Sequence, residues 1–110
     1  MANYLKNDVV LVRYPFSDLS GSKVRPAVVV SAPHPSQDSL VVPLTSRTNS
    51  LLSGEFTLAN WSEAGLNVPS ALKRGIYTVH GPLIARRVGQ LSPADAQRLE
   101  QSLREWLGLR

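Results

Sequence analysis

The 110-residue chain contains no cysteine. Disulfides and thiolate metal sites are thereby excluded, and the composition fits a reducing compartment. Histidine is nearly as scarce, with His34 held between two prolines and His80 just ahead of Gly81. Neither has a metal-ligand spacing, so both read as surface residues; a histidine-pair ribonuclease would need them to meet across the fold. The seven glycines are scattered and form no phosphate-cradling loop of the Walker or dinucleotide kind. Nothing singles out the carboxylate pair a glycosidase needs. Long apolar runs are missing too, which argues against a membrane span, and the start "MANYLKNDVV" has no signal-peptide pattern. The expectation is a cytoplasmic protein of one domain, residues 1–110.

What remains is an ordinary globular composition, 43% hydrophobic and 18% charged, with a formal net charge of +4. The charge is uneven. Residues 1–92 hold nine Lys/Arg against five Asp/Glu, whereas residues 93–110 hold three of each. The cationic excess therefore lies ahead of the C-terminal segment and points weakly to a polyanionic partner.

Alternation and β-branched residues predict strands over "DVVLVRY" (8–14), "PAVVVS" (26–31, buried on both faces) and "LVVPLTS" (40–46). Shorter strands are expected over "EFTLA" (55–59), near Leu66–Val68, over "GIYTVHG" (75–81) and over "LIARRVGQL" (83–91). Many short strands with frequent Pro and Gly breaks suggest a small, strongly bent sheet or barrel spanning about residues 8–90. The end of the chain differs in kind. Ser92 offers an N-cap, Pro93 a first helical position and Gly108 a stop, which predicts a helix over about 93–107. Its apolar stripe is Ala96, Leu99, Leu103, Trp106 and Leu107.

With metal, histidine and glycine-loop chemistry set aside, arginine and hydroxyl groups are left. Pro26 biases Arg25 toward extended backbone, so Arg25 stands at a loop-to-strand junction where its guanidinium can be aimed at a phosphate. Thr45 and Ser46 close the third strand beside Arg47; alternation sends them to opposite faces, so at most one should share a face with Arg25. Two readings stay open from these residues alone: a phosphate site, or Arg25 paired with Asp18 or Glu55 and Thr45 as a plain strand-end hydroxyl.

The segments "KNDVVLVRYPFSDLSGSKVRPAVVVS", "LVVPLTSR" and "LIARRVGQLSPADAQRLEQSLREWLGL" together resemble the MazF/PemK toxins of type II toxin–antitoxin systems, over about residues 6–109. The resemblance implies a mainly β fold with a C-terminal helix, an SH3-like small barrel of the kind also attributed to the gyrase poison CcdB, assembled as a homodimer. It implies a metal-independent, cofactor-free endoribonuclease acting on single-stranded RNA, and an acidic antitoxin that covers the RNA surface. The family's catalytic arginine and threonine fall on Arg25 and Thr45. In such chemistry the substrate's own 2′-hydroxyl attacks phosphorus, and the protein stabilises the added negative charge. Candidate RNA-binding residues are Phe16, Ser22, Lys23, Ser46, Arg47, Lys73, Arg74 and Arg86, with Arg87 and a stacking role for Trp61 also considered. One member of each adjacent basic pair is expected to face the groove.

The chain also departs from its relatives. Many carry an acidic residue or histidine just before the catalytic arginine, where this chain has Ser22–Lys23–Val24; an acid–glutamine pair near the fifth strand is replaced by Arg74–Gly75. Both changes remove proton-handling or base-reading groups, so no general base is named. A binding-only toxin of the same fold and a non-cutting homologue that still pairs with an antitoxin are the alternatives.

Overall fold

Strand β1 (Asp8–Pro15) lies between two antiparallel partners, β2 (Ser22–Val29) and β6 (Ile84–Gln90). The structure is a computed structural model and describes residues 4–15 and 22–110. Strand β3 (Ser39–Thr45) continues the sheet beyond β2, and the short strands β4 (Ala71–Leu72) and β5 (Tyr77–Val79) both pair with β3. The order is β4-β3-β2-β1-β6 with β5 beside β3, all antiparallel. Among the described residues β4 and β6 do not pair, so the sheet is open. The mainly β architecture with one C-terminal helix is as expected.

A proline marks the point where β3 changes partner. β5 pairs with Ser39–Val41 and β4 with Leu44–Thr45, and Pro43 falls between them. Pro43 has no N–H to donate to that edge, but its carbonyl still accepts from Lys73 N at 3.0 Å.

Both faces of the sheet are buried. On one side Val9, Val28, Val42, Leu44 and Leu72 of the strands pack with Phe56, Leu58, Ala64, Leu91 and the helix residue Leu99. On the other, Val10, Val12, Ala27, Val29, Val41, Val79 and Ile84 form a second cluster. "PAVVVS" is thus buried on both faces as predicted: Ala27, Val28 and Val29 have no exposed surface.

Helix α1 (Pro93–Leu107) has the predicted bounds. Ser92 caps it by accepting from Asp95 N at 3.2 Å, and Gly108 ends it in the left-handed region at φ 68°. Buried Asp95 accepts from Ala59 N and Asn60 N, both at 2.9 Å, while Ser92 Oγ donates to Asn60 Oδ1 at 2.8 Å. These bonds pin the helix start to the loop ahead of it. Leu99 is 1% exposed, a burial that stabilises the fold by roughly 1.5–3 kcal/mol. Ala96, Leu103 and Trp106 pack half-buried against the core, but Leu107 is 54% exposed and leaves the predicted stripe.

Several expected strands are corrected. Residues 55–59 form only a single bridge, Thr57 to Ala71, and Leu66–Val68 is not a strand. β2 begins at Ser22 and not at Pro26, because Ser22–Arg25 continue the ladder opposite Val12–Pro15. Cross-strand pairing there outweighs the polarity that read as loop.

Candidate functional site

The β2–β3 ladder sets the two central candidates opposite one another. Its register pairs Val29 with Val41, Val28 with Val42 and Ala27 with Pro43. Two residues further along the same register, Arg25 falls across from Thr45, and alternation places both on the face of Ala27 and Pro43. Regular pairing ends there for a chemical reason. Val30 N donates to Leu40 O at 2.8 Å, so the hydrogen-bonded pairs are every second one, and the next is Pro26 with Leu44. Pro26 has no N–H, so the strands part just where Arg25 and Thr45 stand.

Between the parted strands is an open groove of about 800 Å³, lined by Arg25, Thr45, Lys23, Ser46, Arg47 and Arg86 among others. Thr45 Oγ1 accepts from Arg47 N at 3.0 Å, which leaves the hydroxyl hydrogen to donate elsewhere. Ser46 lines the groove beside Thr45, contrary to the expectation that only one of them would; β3 ends at Thr45, and alternation ends with it.

Both Arg86 and Arg87 line the groove, where one was expected. Strand β6 pairs Val10 with Arg87 and Leu11 with Arg86, but its register slips on either side, skipping Val88 and Ala85. Two bulges therefore flank the arginine pair, and bulges re-aim side chains. Arg87 Nε is tied at 2.9 Å to Oδ1 of Asp8, whose Oδ2 accepts from Leu5 N at 2.8 Å. With Lys23, Arg25 and Arg47 the lining holds five cations and, among the described residues, no carboxylate and no histidine.

Another part of the lining is the stretch Gly65–Val68 with Ser70, where a short strand was expected near Leu66–Val68. Two glycines allow it to lie against β6. A Cβ on Gly65 would stand 2.2 Å from Val88 O, and one on Gly89 would stand 2.0 Å from Ala64 O. Only long-range contact reveals this placement.

A second cavity of about 650 Å³ continues from the groove through Thr45, Ser46 and Arg47, and Lys73 lines it with Glu55. Lys73 is thus next to the groove and not in it. Arg74 lines neither cavity; its backbone N–H donates to Glu55 Oε2 at 2.8 Å. That bond, with a second from Leu52 N at 2.7 Å, holds the Glu55 carboxyl below its ordinary pKa, helped by nearby Lys73 and Arg74. Asp18, Phe16 and the Ser22 side chain lie outside the described residues. Trp61 packs half-buried against the core and does not line the groove. The histidines are elsewhere: His80 Nδ1 meets Asp38 Oδ1 at 3.0 Å, and His34 Nδ1 meets Ser36 Oγ at 2.8 Å. Among the described residues no group of three or more His, Asp or Glu converges as a metal site requires, and no helix is long and apolar enough to cross a membrane.

No curated protein matches the chain by sequence. Solved structures do match it by fold. A mycobacterial endoribonuclease superposes with a TM-score of 0.75 at 22% identity, covering 99% of this chain and 95% of that one. An endoribonuclease from mycobacterial species in complex with its cognate antitoxin gives 0.74 at 22% identity, with 97% of each chain covered. A MazE–MazF structure from Deinococcus radiodurans gives 0.75 at 17% identity over the full length of both. At these identities the likeness establishes the fold. The profile of the PemK-like, MazF-like toxins matches residues 6–107, nearly the whole of the chain whose paired strands, open groove and terminal helix are described above. The chain belongs to the PemK-like, MazF-like toxin family of type II toxin–antitoxin systems.

Proposed function

We propose that this chain is an endoribonuclease toxin that cuts single-stranded RNA without a metal ion or cofactor. The observation that carries the reading is the meeting of Arg25 and Thr45 in one groove with Lys23, Ser46, Arg47 and Arg86. A surface with five cations and no described carboxylate suits a phosphodiester backbone. In the proposed reaction the ribose 2′-oxygen bonds to the adjacent phosphorus and its proton passes to solvent. The bond from phosphorus to the 5′-oxygen then breaks, leaving a 2′,3′-cyclic phosphate and a 5′-hydroxyl. Arg25 clamps the non-bridging oxygens and hydrogen-bonds the departing 5′-oxygen as it takes up a proton from solvent, and Thr45 donates to the same phosphate. DNA has no attacking hydroxyl and is not cut.

Antitoxin control is part of the proposal: a cognate antitoxin with acidic character covers the cationic groove. The solved relatives in complex with an antitoxin support this. A homodimer comes with the family likeness.

Incubation with single-stranded RNA in EDTA, followed by mapping of the ends, tests the reaction. The expected result is cyclic phosphate and 5′-hydroxyl termini for the unmodified protein, and loss of cutting in Arg25→Ala and Thr45→Ala. Cutting that survives Arg25→Ala, or that requires a divalent metal, would overturn the assignment. Growth arrest on expression without any RNA cleavage would favour a binding-only toxin.

A further inference from the structure

The groove has a wall that phosphate chemistry leaves unused. Asn67 and Val68 are exposed and line it, as does Val24 on the strand carrying Arg25. Val24 is 45% exposed and Val68 50% exposed, large fractions for apolar side chains beside five cations. The Asn67 side chain makes no hydrogen bond with another described residue. An amide with two donor hydrogens and an acceptor oxygen therefore faces a nucleic-acid groove uncommitted.

The backbone under that amide is fixed on both sides. Ahead of it, Leu66 N donates to Trp61 O at 3.2 Å and Gly65 packs against Val88 O, where a Cβ would stand only 2.2 Å away. After it, Ser70 Oγ donates to Val68 O at 3.0 Å, and Ser70 O accepts from Leu58 N at 2.9 Å. Pro69 adds its own restriction to Val68. A side chain on so constrained a support presents its polar atoms in a reproducible direction, the requirement for reading hydrogen-bond patterns.

We infer that Asn67, with Val24 and Val68 as aliphatic surfaces, forms a subsite that reads one unstacked nucleobase next to the scissile phosphate. The inference rests on the proposed ribonuclease reading and deepens it. Single-stranded RNA exposes base edges to side-chain amides, and an amide pairs in bidentate fashion with an edge that offers a donor beside an acceptor. Among the described lining residues there is no aromatic ring to stack a base, so aliphatic contact has to serve for the flat faces. Asn67 is exposed, and its replacement leaves the core intact.

The test is to cleave a randomised single-stranded RNA pool with the unmodified protein, Asn67→Ala and Asn67→Asp, and to compare base preference at every position around the cut. Asn67→Ala is expected to flatten the preference at one position by about fivefold or more, with the other positions unchanged. Asn67→Asp keeps an acceptor and loses the donors, so it is expected to alter the favoured base at that same position. An identical profile in Asn67→Ala, or an equal slowing at every site, would overturn the inference while leaving the ribonuclease reading in place. An unmodified protein that leaves the pool intact would overturn both.

Discussion

The backbone N–H of Arg47 donates to Thr45 Oγ1 at 3.0 Å. This bond occupies one lone pair of the hydroxyl and keeps the oxygen at the strand end, with its hydrogen available to a ligand in the groove. Thr45→Val, which has the same shape and no hydroxyl, is expected to lower the single-turnover cleavage rate by about 10²–10³. Thr45→Ser keeps the donor and should stay within about tenfold of the unmodified protein. A loss in Thr45→Ser with none in Thr45→Val would mean that the methyl group matters and the hydroxyl does not.

Arg86 lines the same groove as Arg25 and Thr45, and under the proposed function it is expected to follow the RNA backbone. Arg86→Ala should weaken binding to every sequence alike and make the slope of log affinity against log salt shallower by about 0.7, the value for one single-strand phosphate contact. A titration at three or four salt concentrations checks this. An unchanged slope would remove Arg86 from the RNA path.

Asp95 gives its two carboxylate oxygens to Ala59 N and Asn60 N. Asp95→Ala would strand both amides in a partly buried turn and is expected to destabilise the fold by about 3 kcal/mol, from two charge-assisted bonds at about 1.5–3 kcal/mol each. Urea unfolding followed by circular dichroism measures it. A loss under about 1 kcal/mol would show that water replaces the carboxylate.

Glu55 has a pKa lowered from its ordinary 4.5, first by the Arg74 backbone N–H, then by that of Leu52. A depressed carboxyl favours the folded state wherever it is ionised there. The contribution is complete above 4.5 and is lost as the pH falls through the folded value. The unmodified protein should therefore lose stability on acidification below about 4.5, and Glu55→Gln should lose less between pH 7 and pH 3. The group is partly exposed and screened by solvent, so the difference is expected to be small. Urea midpoints at the two pH values decide it.

Local chemistry made some parts of this molecule legible in advance. Ser92, Pro93 and Gly108 delimit the helix because caps act within one turn. Arg25 and Thr45 are linked through the family resemblance, because the residues alone leave a phosphate site and a plain ion pair both open. Other parts depend on residues far apart in the chain. β4 is two residues long and exists only through Leu44 and Thr45. The Gly65–Val68 wall depends on β6 at Val88 and Gly89. Alternation mispredicted Arg86 and Arg87 because a bulge is a mismatch between two strands, and one strand read alone cannot display it. Leu107 has the helical spacing of the stripe, yet the core ends before the last turn reaches it.

The slips at Ala85 and Val88 have a consequence for how this surface can change over time. Each inserts a single unpaired residue, so loss of either would keep the pairing of Arg86 with Leu11 and Arg87 with Val10 while removing one of the two bulges that aim these arginines. A one-codon deletion in β6 would then restore plain alternation beside the pair and turn one of the two arginines away from the groove at a stroke. Among descendants of this chain, length variation in β6 is therefore expected to accompany altered substrate choice.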